Sequence, residues 1–261
     1  KAVQQGHGKK FKSLCVISRW RRSARRRRCA RNAAPVDMAA LEETRKKYSV
    51  ERAKRLRSDG LKQYVGSPHR ERLLADSTKA AFRLPMMDAV DVIIIGGGFG
   101  GLCAGARLRK AGVKSLRIIE KGSKFGGTWH WNQYPGAQCD IESYIYLPFL
   151  EELKCMPREK YARAPDILEH ASRIADHYRL HENAALSTEV LGLHWDDEAA
   201  QWIVETDRGD SMRARFVIAK HGPLHAPKKP QIPGMDIYRG HSFHTSQWDF
   251  TYTGGSPHGD L

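Results

Sequence analysis

The rhythm of apolar and polar positions changes along the chain, and each change predicts a different element. Val92, Ile93, Ile94 and Ile95 form an unbroken apolar run, as expected of a strand buried on both faces. The run enters Gly96-Gly97-Gly98-Phe99-Gly100-Gly101, followed by LCAGARLRKAG, a helical stretch ended by Gly112. A second strand, SLRIIE, closes on Glu120. After Pro165 and Asp166, the residues Ile167, Leu168, Ala171, Ile174, Ala175 and Tyr178 recur on one helical face. Three strands come next, STEVLGLHW, QWIVETD and SMRARFVIAK, with Asp196-Asp197 and Arg208-Gly209-Asp210 as their turns. Arg208-Gly209-Asp210 spells a cell-adhesion tripeptide, but a hairpin turn accounts for it. Phe216, Val217 and Ile218 are expected to return to the parallel sheet, with the antiparallel meander covering one sheet face.

Upstream, Asp37 is a good helix N-cap, and MAALEETRKKYSVERAKRLRSDG reads as a helix stopped at Gly60. Its stripe of Met38, Leu41, Tyr48, Ala53 and Leu56 is patchy and predicts a surface helix docked on the domain. The expected division is a basic tail over 1–36, a helix over 37–60 and a linker over 61–88. A nucleotide-binding domain over 89–225 and a hinge segment over 226–261, marked by Pro227, Pro230 and Pro233, complete it.

The glycine turn carries the strongest chemical signal. Gly96, Gly98 and Gly101 match G-x-G-x-x-G between a strand and a helix. Gly96 permits the tight turn, Gly98 lets the backbone approach a pyrophosphate, and Gly101 lets the helix pack close to the strand. Unpaired N–H groups and the helix dipole then attract the phosphates. Glu120 follows Gly96 by 24 residues, where a carboxylate binds both ribose hydroxyls and repels a 2′-phosphate. These residues do not choose between FAD and NAD.

Composition narrows the class. The chain has 261 residues, 41% of them hydrophobic, enough for one large or two small domains. No run of eighteen apolar residues occurs, which excludes a membrane-spanning helix. Five scattered cysteines without a C-x-x-C pair argue against a disulfide scaffold and a thiolate zinc site, and suit the cytoplasm. The net charge of +15 is concentrated in one place: residues 1–36 hold 12 basic and no acidic side chains. That tail reads as an extension outside the working protein, a targeting segment, or a nucleic-acid patch at Arg25 to Arg28. Outside it the charge is nearly balanced, so nucleic acid is not expected as a partner.

Residues 126–140 read Gly-Gly-Thr-Trp-His-Trp-Asn-Gln-Tyr-Pro-Gly-Ala-Gln-Cys-Asp. Here the sequence resembles the flavin-dependent Baeyer–Villiger monooxygenases, whose G-G-x-W-x-x-x-x-[FY]-P-G-x-x-x-D pattern is matched by Gly126, Gly127, Trp129, Tyr134, Pro135, Gly136 and Asp140. Residues 238–249 resemble the family's F-x-G-x-x-x-H-x-x-x-W-[PD] fingerprint, with Tyr238 in place of Phe and Gly240, His244, Trp248 and Asp249 matching. The resemblance covers about residues 38–261. It implies a Rossmann-like α/β FAD-binding domain of the two-dinucleotide-binding-domain flavoprotein type, with an antiparallel β-meander. It implies FAD as cofactor, NADPH as reductant, and O₂ and a small-molecule ketone as substrates. In that chemistry a flavin C4a-peroxide attacks the ketone, giving an ester or lactone.

Carried over by position, Phe99 and Lys121 join Gly96, Gly98, Gly101 and Glu120 at the cofactor. Gly127, Thr128, Trp129 and Tyr146 lie along the flavin, and the Val190 backbone reaches the adenine end. Gln138 and Cys139 touch NADP. Asp140, buried beside the flavin, holds a catalytic arginine from the second nucleotide domain. His244 and Trp248 sit at the hinge between domains, where His244 also fits a structural role; His241 and His130 have no special claim.

Ala219-Lys220-His221-Gly222 departs from the family's A-[TSN]-G element, and bulk or charge there is expected to weaken flavin binding. No second G-x-G-x-x-G unit lies between 122 and 261. The fold is therefore expected to stop before the NADPH domain, and the chain alone to be inactive. The alternatives are an N- or S-oxidising flavin monooxygenase, which the Trp129 to Asp140 spacing disfavours, and a non-catalytic flavin-binding fragment with a nucleic-acid-binding tail.

Overall fold

The computed structural model describes residues 37–56, 58, 82–225, 227–230 and 232–258, together with the backbone of 64–66. The chain divides into two units, 1–60 and 61–261. The first contains α1 (Met38–Arg55), capped by Asp37 Oδ1, which accepts from Ala39 N at 2.9 Å and Ala40 N at 3.2 Å. Arg52, Lys54 and Arg55 suit the negative end of its dipole. None of its residues is buried, so capping and local pairs such as Glu51–Lys54 set its length. It ends at Arg55, with Leu56 extended, ahead of the stop expected at Gly60, which lies outside the described residues.

In chain order, the second unit contains β1 (Tyr64–Gly66), β2 (Ala89–Ile95), α2 (Phe99–Lys110), β3 (Leu116–Ile119), α3 (Thr128–Trp131), α4 (Ser143–Tyr146) and α5 (Ala164–His177). There follow β4 (Ala184–Ala185), β5 (Val190–Asp196), β6 (Gln201–Thr206), β7 (Ser211–Ala219), β8 (Lys228–Pro230) and α6 (Phe250–Thr253). Six strands form one sheet in the order β4-β3-β2-β7-β6-β5, and β1 pairs with β8 apart from it. Strands β4, β3, β2 and β7 run parallel, while β7, β6 and β5 are antiparallel. The length of β7 makes this mixture possible: Ser211–Ala214 pairs with β6 and Arg213–Ala219 with β2. The meander therefore extends the parallel ladder, and its Val204, Met212 and Ala214 also pack with Ile93, Ile119 and Ala185.

Side chains of β2 alternate between two cores, as strand geometry requires. Val92 and Ile94 pack with Leu102, Ala106, Leu116, Ile118, Ile174 and Leu180 on the helical side. Ile93 faces the meander cluster. Gly105 lets α2 approach closely, since a Cβ there would lie 3.1 Å from Leu180 and 3.2 Å from Ile118. The carboxyl ends of β2, β3 and β7 open at one edge of the sheet, the place where α/β sheets bind ligands.

One stretch of this unit differs from its sequence reading. The segment read as an irregular linker holds β1 and a strap, residues 82–88, bonded to the meander. Arg83 donates to both carboxylate oxygens of Asp210 at 2.5 and 2.6 Å, and Ser211 N–H donates to Met86 O at 3.0 Å. The Arg208-Gly209-Asp210 sequence does form the turn, with Gly209 at φ +74, and it buries Asp210.

Candidate cofactor-binding site

The glycine loop is a cradle defined by close backbone approach. Gly96 has φ +104, and a Cβ there would sit 2.8 Å from Lys220 O. A Cβ on Gly101 would overlap the Gly96 carbonyl oxygen, so this glycine lies beneath the loop and lets α2 start there. Gly127, at φ +54, faces Gly98 so closely that a Cβ would stand 2.7 Å from the Gly98 Cα. Gly98 is the N-cap of α2 and supplies no capping side chain, which leaves the first-turn N–H groups for an external acceptor.

Glu120 is 5% exposed. Its Oε2 accepts from Gly97 N–H at 2.5 Å and its Oε1 from Gly122 N–H at 2.7 Å. Burial pushes its carboxyl up, while these N–H bonds and the Lys121 charge pull it down. The carboxylate thus holds the loop from inside, and each oxygen has a lone pair left for a further donor. The Lys121 ammonium lies 4.0 Å from Glu189 and 5.5 Å from the Trp131 ring centroid; burial pushes it down.

A cavity of about 620 Å³ opens at this edge, within the usual size for small-molecule sites. Gly96, Gly98, Phe99, Glu120, Lys121, Gly127, Thr128, Trp129, Tyr146 and Val190 all line it. On its aromatic side Trp129 Nε1 donates to Tyr146 Oη at 2.8 Å, and Phe99 meets Tyr146 edge-on at 5.6 Å. The phenol of Tyr146 is raised, chiefly by burial, and Asp140 contributes to this.

The residues carried to the reductant lie elsewhere. Cys139 is buried in a cluster with Trp129, Ala137 and Ile167, and Gln138 Nε2 donates to Tyr161 O at 2.6 Å. Asp140 is exposed, not buried as expected; it follows buried Cys139 and the isolated bridge of Gln138 to Arg163. None of the three lines the cavity.

A profile of the pyridine nucleotide-disulphide oxidoreductase family matches residues 93–254. The chain belongs to the pyridine nucleotide-disulphide oxidoreductases. It is 49% identical over 227 residues to a neopentalenolactone D synthase of Streptomyces avermitilis, covering 86% of this chain and 38% of that one. It is also 49% identical over 225 residues to a Baeyer–Villiger monooxygenase of Streptomyces coelicolor, covering 85% and 37%. The polycyclic ketone monooxygenase of Thermothelomyces thermophila superposes with a TM-score of 0.71 at 37% identity, covering 84% of this chain and 38% of that one. The chain thus spans about two fifths of the length of these relatives.

Within this oxidoreductase fold the cavity also uses residues that sequence reasoning missed. Thr188, Glu189 and Leu191 to Leu193 form one wall, and Trp131, Leu224 and His225 join another. Only Trp131 stood inside a recognised motif. Lys220 and His221, read as departures, line the cavity too; the Lys220 stem packs over Gly100, its Cδ 3.3 Å from where a Cβ would be. His244 caps a short turn by accepting from Ser246 N–H at 3.1 Å. His241, given no role from sequence, lies 3.0 Å from Asp249 and stacks on Tyr252 at 4.2 Å.

Among the described residues, no group of three or more His, Cys, Asp or Glu is placed to hold a metal ion, and no helix is long and apolar enough to cross a membrane.

Proposed function

We propose that this chain forms the FAD-binding part of an NADPH- and O₂-dependent Baeyer–Villiger monooxygenase that converts ketones to esters or lactones. The observation that carries the cofactor reading is the cradle: Gly96 and Gly127 leave no room for side chains, and Gly98 little, beside an N-terminal helix turn, with buried Glu120 at its side. That arrangement fits a dinucleotide. The similarity to proteins named as ketone and Baeyer–Villiger monooxygenases carries the reaction class.

When bound, a flavin reduced by NADPH supplies the activated oxygen for insertion beside a ketone carbonyl. The protein's part is positional. The first turn of α2 offers N–H groups to the pyrophosphate, and Glu120 accepts from the ribose hydroxyls while disfavouring a 2′-phosphate. The ring pair Trp129 and Tyr146, with Phe99 behind it, shields the isoalloxazine end from water. In this reading Val190 would meet the adenine end, and Gln138, Cys139 and Asp140, outside the cavity, would serve the nicotinamide side, with Asp140 holding an arginine of the second nucleotide domain. The division at 89–225 and 226–261 belongs to this reading, and the scattered cysteines favour the cytoplasm.

Titrating the chain with FAD and following flavin fluorescence tests the cofactor assignment. Saturable binding at micromolar concentration, one FAD per chain, is expected, and no binding would overturn it. Assaying the gene's natural-length product for ketone-dependent NADPH oxidation tests the reaction, with lactone or ester as the expected product.

A further inference from the structure

We propose that Arg83 is a positioning residue for the adenine end of the dinucleotide site, acting through Thr188. The proposal rests on the FAD reading above and adds a residue outside every recognised motif. Arg83 stands in the strap ahead of β2, and its partners lie 127 and 105 residues away in sequence. Its Nη1 and Nη2 donate to Asp210 at 2.5 and 2.6 Å, and Nη2 also reaches Thr188 Oγ1 at 3.2 Å.

Each link toward the cavity is then a hydrogen bond between buried or half-buried groups. Thr188 is 1% exposed, lines the cavity, and donates its hydroxyl proton to Leu186 O at 2.9 Å. Its N–H donates to Glu120 O at 3.0 Å, and the Glu120 carboxylate holds Gly97 and Gly122. If Glu120 takes the ribose, the next wall along is Thr188 to Val190, so that wall meets the adenine.

The Asp210 side chain is wholly shielded and also accepts from Thr206 Oγ1 at 2.6 Å and Met86 N–H at 2.8 Å. A planar, bidentate guanidinium fits this pocket and has donors left over for Thr188; an ammonium cannot match that fork. The strap therefore fixes the adenine wall from behind.

The test uses the full chain with three probes: FAD, ADP and riboflavin. Affinities are measured by calorimetry and flavin fluorescence, with circular dichroism and the ligand-free melting temperature as the folding control. In Arg83→Gln the Kd for FAD and that for ADP should rise together by about tenfold, and riboflavin affinity should not move. Arg83→Lys should restore part of the loss. Thr188→Val, which leaves the Arg83–Asp210 pair intact, should raise both the FAD and the ADP Kd by about threefold.

A folded Arg83→Gln chain with FAD affinity within about twofold of the parent would overturn the proposal. So would a loss shared by riboflavin, or one confined to FAD with ADP unchanged. If Arg83→Gln does not fold, Thr188→Val decides, and unchanged FAD and ADP affinity would overturn the role. Failure of the unaltered chain to bind FAD would overturn the cofactor reading itself, and this proposal with it.

Discussion

At Gly101 a Cβ would overlap the Gly96 carbonyl oxygen, an atom of the main chain that cannot move without unwinding the loop. At Gly240, in the second sequence signature, a Cβ would meet Tyr238 Oη, the far end of a side chain. The two regions differ in this way throughout. The glycine loop is fixed by backbone sterics, by buried Glu120 and by the parallel strands behind it. Residues 238–253 are held by their own side chains: His241 on Asp249 and Tyr252, Phe243 on Trp248, and Trp248 Nε1 on Thr253 Oγ1 at 2.9 Å. In that stretch Ser246 is the single buried residue. A signature written in backbone space constrains the fold itself, whereas one written in exposed side chains constrains a local shape and what meets it.

The largest expected effect lies in the glycine loop. Gly101→Ala forces the Gly96–Gly101 turn apart and should cost about 3 kcal/mol, as overpacking of a dense core does. FAD binding should be lost with it, because the same turn presents the N–H groups. Urea denaturation and FAD titration read both quantities. Native stability with retained FAD affinity would show that the loop is not sterically defined.

An intermediate effect tests how the cradle is held from behind. Burial would raise the Asp210 carboxyl, but the Arg83 and Thr206 side chains, the Met86 N–H and the Arg83 charge overcome it and bring it from 3.8 to about 2. The folded-state value is depressed, so the unfolded chain binds the proton first as pH falls. The stabilisation is complete above about pH 5 and is lost between there and about pH 2, amounting to about 2 kcal/mol. Urea midpoints measured across this window should fall, and Asp210→Asn should flatten that part of the profile. The His241–Asp249 contact lies at the surface, where ion pairs contribute little to stability. Equal acid slopes in the parent and Asp210→Asn would remove the distinction.

The same contrast explains what could be read from the sequence. The unbroken Val92–Ile95 run and the glycine spacing are direct records of two-sided burial and close approach, so the parallel core and the cradle were legible. The meander was legible in its alternation, but not its junction through β7, because pairing one strand with two partners leaves no local mark. Arg83 was invisible for a similar reason: it is one arginine in a segment read as a linker, and its partner lies 127 residues away. Thr188 and Glu189 reach the cavity because the chain leaving β4, the neighbour of β3, runs on beside Glu120, with Thr188 N–H donating to Glu120 O at 3.0 Å. Asp140 shows the reverse case, a motif residue whose identity is clear and whose surroundings here are solvent.

The smallest expected effect sharpens the comparison most, since it uses the same substitution at the other signature. Gly240→Ala keeps an ordinary backbone, because Gly240 is not among the glycines at positive φ. Tyr238 is 62% exposed, so its ring can swing aside at little cost. Loss of glycine's freedom in the unfolded chain acts in the opposite direction, favouring the folded state by about 0.4 to 1 kcal/mol where the conformation is compatible. The net change should fall within about 0.5 kcal/mol of zero, with FAD affinity unaltered. Were Gly240→Ala instead to unfold the chain or release FAD as Gly101→Ala does, residues 238–253 would have to be part of the cradle's support, and the division between a backbone signature and a side-chain signature would fail.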